Sequence, residues 1–168
     1  MRLIAPVVPR LRRYARALLR NRAAADDLVQ DCLERAVGRW HQRRDDGDTH
    51  SWLFTIVHNL AMNRLRQDAR RGQHLSLESA DLGGMARPAD QESSFHHKDV
   101  IKALARLPDE QRAVLLLVGV EDLSYADAAR ALGVPVGTVM SRLSRARARL
   151  RSELAGHETA APHLRIVK

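Results

Sequence analysis

The sequence predicts an all-α fold: two small helical domains joined by a flexible linker, the second domain containing a helix-turn-helix. Three observations point there. Hydrophobic residues make up 45% of the 168-residue chain but aromatics only 4%, so a core must be built from Leu, Val, Ile and Ala, which favours packed helices over sheet. Apolar residues recur at three- and four-residue spacings in each patterned stretch. Between the two patterned blocks, residues 72–95 lose their period and contain Gly83-Gly84 and Pro88, the marks of a connector.

In the first block, residues 10–40 read as two helices, "PRLRRYARALLRN" and "AAADDLVQDCLERAVGRW". In the second of these, Val29, Leu33, Ala36, Val37 and Trp40 fall on one expected buried stripe, and the other side carries Asp27, Gln30, Asp31 and Glu34. On that helix the default for Cys32 is a small packed thiol. A polar loop, "HQRRDDGDTH", precedes "SWLFTIVHNLAMNRLRQDARR". There Leu53, Ile56, Val57, Leu60 and Leu65 favour one side, while Thr55, His58, Asn59, Met62, Asn63 and Arg66 form the opposite, hydrogen-bonding strip.

The connector carries Glu78, Asp81, Asp90 and Glu92 against Arg87, an acidic tether in a basic chain. After it, "HHKDVIKALARL" places Val100, Ile101, Leu104 and Leu107 along a seam, and Pro108 suits the start of the following helix. Ser124 with Asp127 three residues on resembles a capping box, and Gly133 stands where a helix C-terminus wants a left-handed residue. These signals bound a short helix over 125–132.

That short helix, a Gly-containing turn and the run "VPVGTVMSRLSRARARLR" describe a helix-turn-helix, whose second helix enters the DNA major groove. At about 100° per residue, Val139, Leu143, Ala146 and Leu150 form the docking stripe. On its flank Thr138, Arg142, Arg145 and Arg149 fall within about 60° of arc, with Ser141 and Ser144 further round. Gly137, Thr138, Ser141 and Arg142, nearest the helix start, are placed to approach bases, and Arg147, Arg149 and Arg151 to hold phosphates. A solvated basic helix face is the plain alternative. The capped preceding helix, the Gly133 stop and the lack of acids between Pro135 and Arg151 favour DNA.

Composition agrees. The net charge is +8, with 28 Lys and Arg, 25 of them Arg, against 20 acids. A pI near 10.8 is the footprint of a polyanion binder, although a GC-rich genome also inflates Arg. Cys32 is the one cysteine, which rules out an internal disulfide and a cysteine zinc cluster. With no long apolar run and no signal-peptide core at the N-terminus, the chain is expected to be soluble and cytoplasmic.

"LSYADAARALGVPVGTVMSRLSRARARLR" is similar to the promoter-binding carboxy-terminal domain of sigma-70 family RNA polymerase specificity factors, and "AADDLVQDCLERA" with "SWLFTIVHNLAMNRLR" resembles their amino-terminal domain. The two motif sets, in that order and with nothing more, resemble the extracytoplasmic function (ECF) group, and "SWLFTIVHN" resembles its alphaproteobacterial general-stress subgroup. The resemblance implies a stress-response factor without a cofactor, with residues 1–71 as region 2, 72–95 as linker, 96–156 as region 4 and 157–168 as tail. It implies core RNA polymerase, through its β′ clamp helices and β subunit, promoter DNA and an anti-sigma protein as partners, with a monomer when free. It assigns Asp27, Gln30 and Asp31 to polymerase docking. Asn59, Asn63 and Arg66, with the loop Arg43 to Ser51, go to the minus-ten element. Thr138, Ser141, Arg142, Arg145, Arg147 and Arg149 go to the minus-thirty-five element. Trp52 and Phe54 remain open between base capture and core. Met140 departs from the family pattern, standing where Lys or Arg is frequent.

Two other classes compete. A stand-alone helix-turn-helix regulator fits the second block alone but leaves the "DDLVQD" face and the amide strip unexplained. An enzyme has little to build on: His96-His97, with Asp99 nearby, point to different sides of a helix and make a poor metal site, and no phosphate loop or nucleophile motif is present.

Overall fold

A computed structural model of the chain describes residues 4–42, 48–72 and 91–158. Among them are seven α-helices and no strand: α1 (Val8–Leu19), α2 (Arg22–Gly38), α3 (Thr49–Arg70), α4 (Gln91–Ala105), α5 (Asp109–Gly119), α6 (Tyr125–Leu132) and α7 (Val136–Glu158). None of these helices is long and apolar enough to cross a membrane. Helix α4 starts at Gln91, so 91–95, expected in the connector, are helical; the rest of that stretch, 73–90, and loop residues 43–47 lie outside the described residues.

Local chemistry sets the helix ends. Helix α1 stops at Arg20, left-handed at φ 57°, whose N–H donates to the Arg16 carbonyl, and Asn21 caps α2 by accepting from the Ala24 N–H at 3.0 Å. Asp48 accepts from the N–H groups of His50 and Ser51, fixing the start of α3. Desolvation works to raise the Asp48 pKa, but these bonds hold its carboxyl below the usual range. Ser124 accepts from the Asp127 N–H, and α6 ends in a Schellman motif. There Gly133, at φ 65°, donates to the Arg130 carbonyl and Val134 to that of Ala129. A side chain at position 133 would be strained in that conformation.

Helices α1, α2 and α3 pack on one another, and α4, α5 and α6 gather around α7. The two groups then close on each other, with α6 against α3 and α1 against α5 and α4. One continuous apolar cluster runs from Ile4 through Leu11, Phe54 and Leu117 to Ala146. Helix α6 sits between α3 and α7, and its buried Ala128, Ala129 and Ala131 let both neighbours approach closely.

Three sequence expectations are corrected. On α2 the buried stripe is Ala25, Leu28, Val29, Cys32 and Ala36, rotated from the expected one, leaving Val37 51% exposed and Leu33 and Trp40 half-buried. On α4 Val100 is exposed, and Ala103 and Ala105 are buried in its place. On α3 His58 lies inside rather than on the outer strip.

Cys32 is fully buried, its thiol facing the Leu53 carbonyl at 3.8 Å, and desolvation pushes its pKa up to about 12. It is a packed, unreactive thiol.

Candidate nucleic-acid interface

Helix α7 is held by Val139, Leu143 and Ala146, all buried, and by an ion pair across to the turn after α4, Arg106 to Glu153 at 3.1 Å. The face turned away from this stripe carries Gly137, Ser141, Ser144, Arg145 and Ala148, all exposed, with Arg147 and Arg149 on its flanks. Arg145 folds back on its own helix: its Nε donates to the Ser141 carbonyl at 3.2 Å, and the Ser141 hydroxyl donates to the Thr138 carbonyl at 3.1 Å. The expected row breaks at Arg142. Its guanidinium is 21% exposed and pairs with Glu110 of α5 at 2.6 Å, so it is neutralised where it stands.

Helix α3 exposes Asn59, Asn63 and Arg66 along one strip, with Arg66 donating to the Asn63 side-chain oxygen at 3.2 Å. Directly behind them, His58 accepts at Nδ1 from the buried Tyr14 hydroxyl at 2.9 Å. Burial keeps the tyrosine protonated, its pKa raised, and so makes it the donor. Desolvation, with Arg66 and Arg142 nearby, drops the His58 pKa to about 4, so the ring is neutral. Phe54 is fully buried, edge-on to Tyr14 at 5.4 Å, and Trp52 packs edge-on against Trp40 at 6.0 Å. Both aromatics serve packing here.

Helix α2 shows Asp27, Gln30, Asp31 and Glu34 to solvent, with Gln30 donating to Glu34 at 3.2 Å. The arrangement gives three separate polar faces: an acidic one on α2, an amide-rich one on α3 and a basic one on α7. Among the described residues, no group of three or more His, Cys, Asp and Glu side chains is gathered as a metal site.

Sequence reasoning missed the polar seam that joins the two helical groups. Glu121, 1% exposed in the loop after α5, accepts from Arg10 Nε at 2.8 Å and from Arg13 Nε and Nη2 at 3.0 and 2.8 Å. Arg10 Nη2 also donates to the Glu121 carbonyl at 2.6 Å. Nearby, fully buried Arg112 donates to the carbonyls of Leu18 and Leu107 at 3.0 and 3.2 Å and pairs with Asp109. Desolvation and the neighbouring Arg20 lower the Arg112 pKa to about 10, which leaves it charged. Its bond to Leu18 satisfies an end carbonyl of α1 from the other half of the chain.

Comparison with known proteins gives a consistent picture. A family model described as the Sigma2 domain of PhyR matches residues 4–58, and one for sigma-70 region 4 matches residues 97–150. The chain is 38% identical over 151 residues to the ECF RNA polymerase sigma factor EcfG of Rhodopseudomonas palustris, covering 88% of this chain and 80% of that one. It is 40% identical over 156 residues to the ECF sigma factor SigM of Mycobacterium tuberculosis, covering 92% and 76%. Among solved structures, the sigma factor RpoE in complex with the anti-sigma factor NepR from Bartonella quintana superposes with a TM-score of 0.75 at 34% identity, covering 90% of this chain and 94% of that one. CnrH, in complex with the cytosolic domain of CnrY, gives 0.67 at 27% identity, covering 92% and 86%.

Proposed function

The chain belongs to the ECF group of the sigma-70 family of RNA polymerase sigma factors, EcfG-like in sequence, and from that premise we propose how its surfaces divide the work of initiation. It directs core polymerase to promoters. Residues 1–71 act as region 2 and residues 96–156 as region 4, joined by the 72–95 connector less the residues taken into α4. The α2 face of Asp27, Gln30 and Asp31 docks on the β′ clamp helices, where two carboxylates one turn apart meet basic residues. Asn59, Asn63 and Arg66 face the upstream edge of the minus-ten element. Thr138, Ser141 and Arg142 read the minus-thirty-five element, and Arg145, Arg147 and Arg149 hold its phosphates. Arg142 exchanges Glu110 for DNA in doing so. The observation that carries this reading is α7: the second helix of a sharply capped helix-turn-helix, basic and without an acid from Val136 to Ser152.

The two promoter elements lie about 25 base pairs apart, or about 85 Å of duplex at about 3.4 Å per step. A compact chain of this length has a radius of gyration of about 15 Å. The packed arrangement of α3 on α6 therefore cannot hold both elements at once, and the seam parts when polymerase and promoter are engaged. By likeness to RpoE and CnrH, each bound to its anti-sigma partner, the silent form of this chain is held by an anti-sigma protein that covers the polymerase-docking faces. The reading places the chain in the cytoplasm, monomeric when free, and assigns it no catalytic role.

In vitro transcription with core polymerase on a promoter library tests the reading. Initiation at a defined set of promoters only when the chain is added is the expected result. No gain over core enzyme alone overturns it, and strong binding to duplex promoter DNA without polymerase points instead to a stand-alone regulator.

A further inference from the structure

Met140, in the second turn of α7, is 51% exposed, more so than Val136 at 41%, the other exposed large apolar side chain there. Nothing in the fold explains that exposure, since Val139 and Leu143 already dock the helix. Between α6 and α7 lies a recess of about 210 Å³ lined by Tyr125, Met140, Leu143, Ser144, Arg147 and Arg151. Tyr125, at the first turn of α6, is itself 38% exposed. The α7 side of the recess mixes the apolar Met140 and Leu143 with a hydroxyl and two guanidinium groups. A lipid or protein partner large enough to bind stably needs a far broader apolar face than this recess offers. The DNA major groove offers the required pairing: phosphates for the arginines and, on the base edges, the thymine C5-methyl as an apolar group to meet the thioether and the phenol ring.

We propose that Met140, with Tyr125 behind it, is a specificity-determining residue that reads a thymine methyl in the upstream promoter element. The inference rests on α7 entering the major groove, as argued above. At this position a Lys or Arg side chain donates to guanine O6 and N7, whereas Met has no donor and leaves those acceptors unpaired. The pair that suits it is A·T, whose thymine presents the C5-methyl group to the major groove. Arg147 and Arg151 anchor the adjacent phosphates, and Met140 itself adds no ionic term.

The test uses the holoenzyme and a promoter returned by the library screen. Each thymine of the upstream element is replaced in turn by deoxyuridine, which removes the methyl and nothing else. At one position the wild-type holoenzyme should lose about fourfold in affinity, the value expected for one buried methyl. Met140→Ala, a substitution at a half-exposed site, should bind thymine and uracil at that position equally. Met140→Arg should prefer guanine there. Equal thymine-to-uracil ratios for wild type and Met140→Ala at every position overturn the inference while leaving the sigma-factor reading intact. Wild-type holoenzyme that binds promoters without protecting any upstream duplex overturns the placement of α7 and the inference with it.

Discussion

Removing the two sides of the Glu121 seam should have unequal costs, although both destroy the same contact. Glu121 is 1% exposed, whereas Arg10 and Arg13 are 35% and 38% exposed. In Glu121→Ala, the two guanidinium groups already border water and rehydrate in place, so the loss is that of charge-assisted hydrogen bonds, about 1.5–3 kcal/mol. In the double variant Arg10→Ala/Arg13→Ala a carboxylate is left buried without a partner, a cost of about 3–5 kcal/mol unless the two helical groups part to let water in. Chemical denaturation should order the two proteins that way. Distances between spin labels on α2 and α7 should lengthen more in the double arginine variant. The same parting raises the fraction of chain able to bind polymerase, so its apparent Kd for core enzyme should fall. Equal destabilisation of the two variants within about 0.5 kcal/mol, with unchanged label distances, would refute the reasoning from burial.

Arg145→Ala should weaken promoter binding by holoenzyme and lower the salt slope by about one unit, since one phosphate contact is lost; an unchanged slope removes its phosphate role. Charge reversal in Asp31→Lys, at an exposed site on α2, should reduce association with core polymerase in a pull-down titration while the melting temperature stays put. Acid should destabilise the fold through His58. Its folded pKa of about 4 lies below the ordinary value of 6.5, so the unfolded chain binds the proton first. Stability is then full above about pH 6.5 and falls by about 1.4 kcal/mol per unit toward pH 4, near 3 kcal/mol in all. Denaturation curves of wild type and His58→Gln across that range should converge as pH falls.

The helix-turn-helix was the most legible part of the chain, because its signals are local. Ser124, Gly133 and the spacing of Val139, Leu143 and Ala146 each fix backbone geometry within a few residues, and α6 begins and ends where they place it. The α2 stripe was misread because Leu33, Val37 and Trp40 outweigh Ala25, Cys32 and Ala36 in apolar bulk. Close packing against α1 and α3 instead favours the side with small residues. His58 gave no sign of burial, since its partner Tyr14 lies 44 positions upstream. The polar faces on α2, α3 and α7 follow from periodicity alone. Which helices close against which, and the engagement of Arg142 by Glu110, depend on long-range pairing that no spacing encodes.

The arginine seam also sets an order of events at the ribosome. Arg10 is joined to a residue 111 positions later, so at about 5–20 residues per second it is made roughly 5–20 s before its carboxylate partner. Throughout that interval the nascent first half has no second half to fold against. A partner waiting near the ribosome would meet it unlatched, and would need to break nothing in order to capture it.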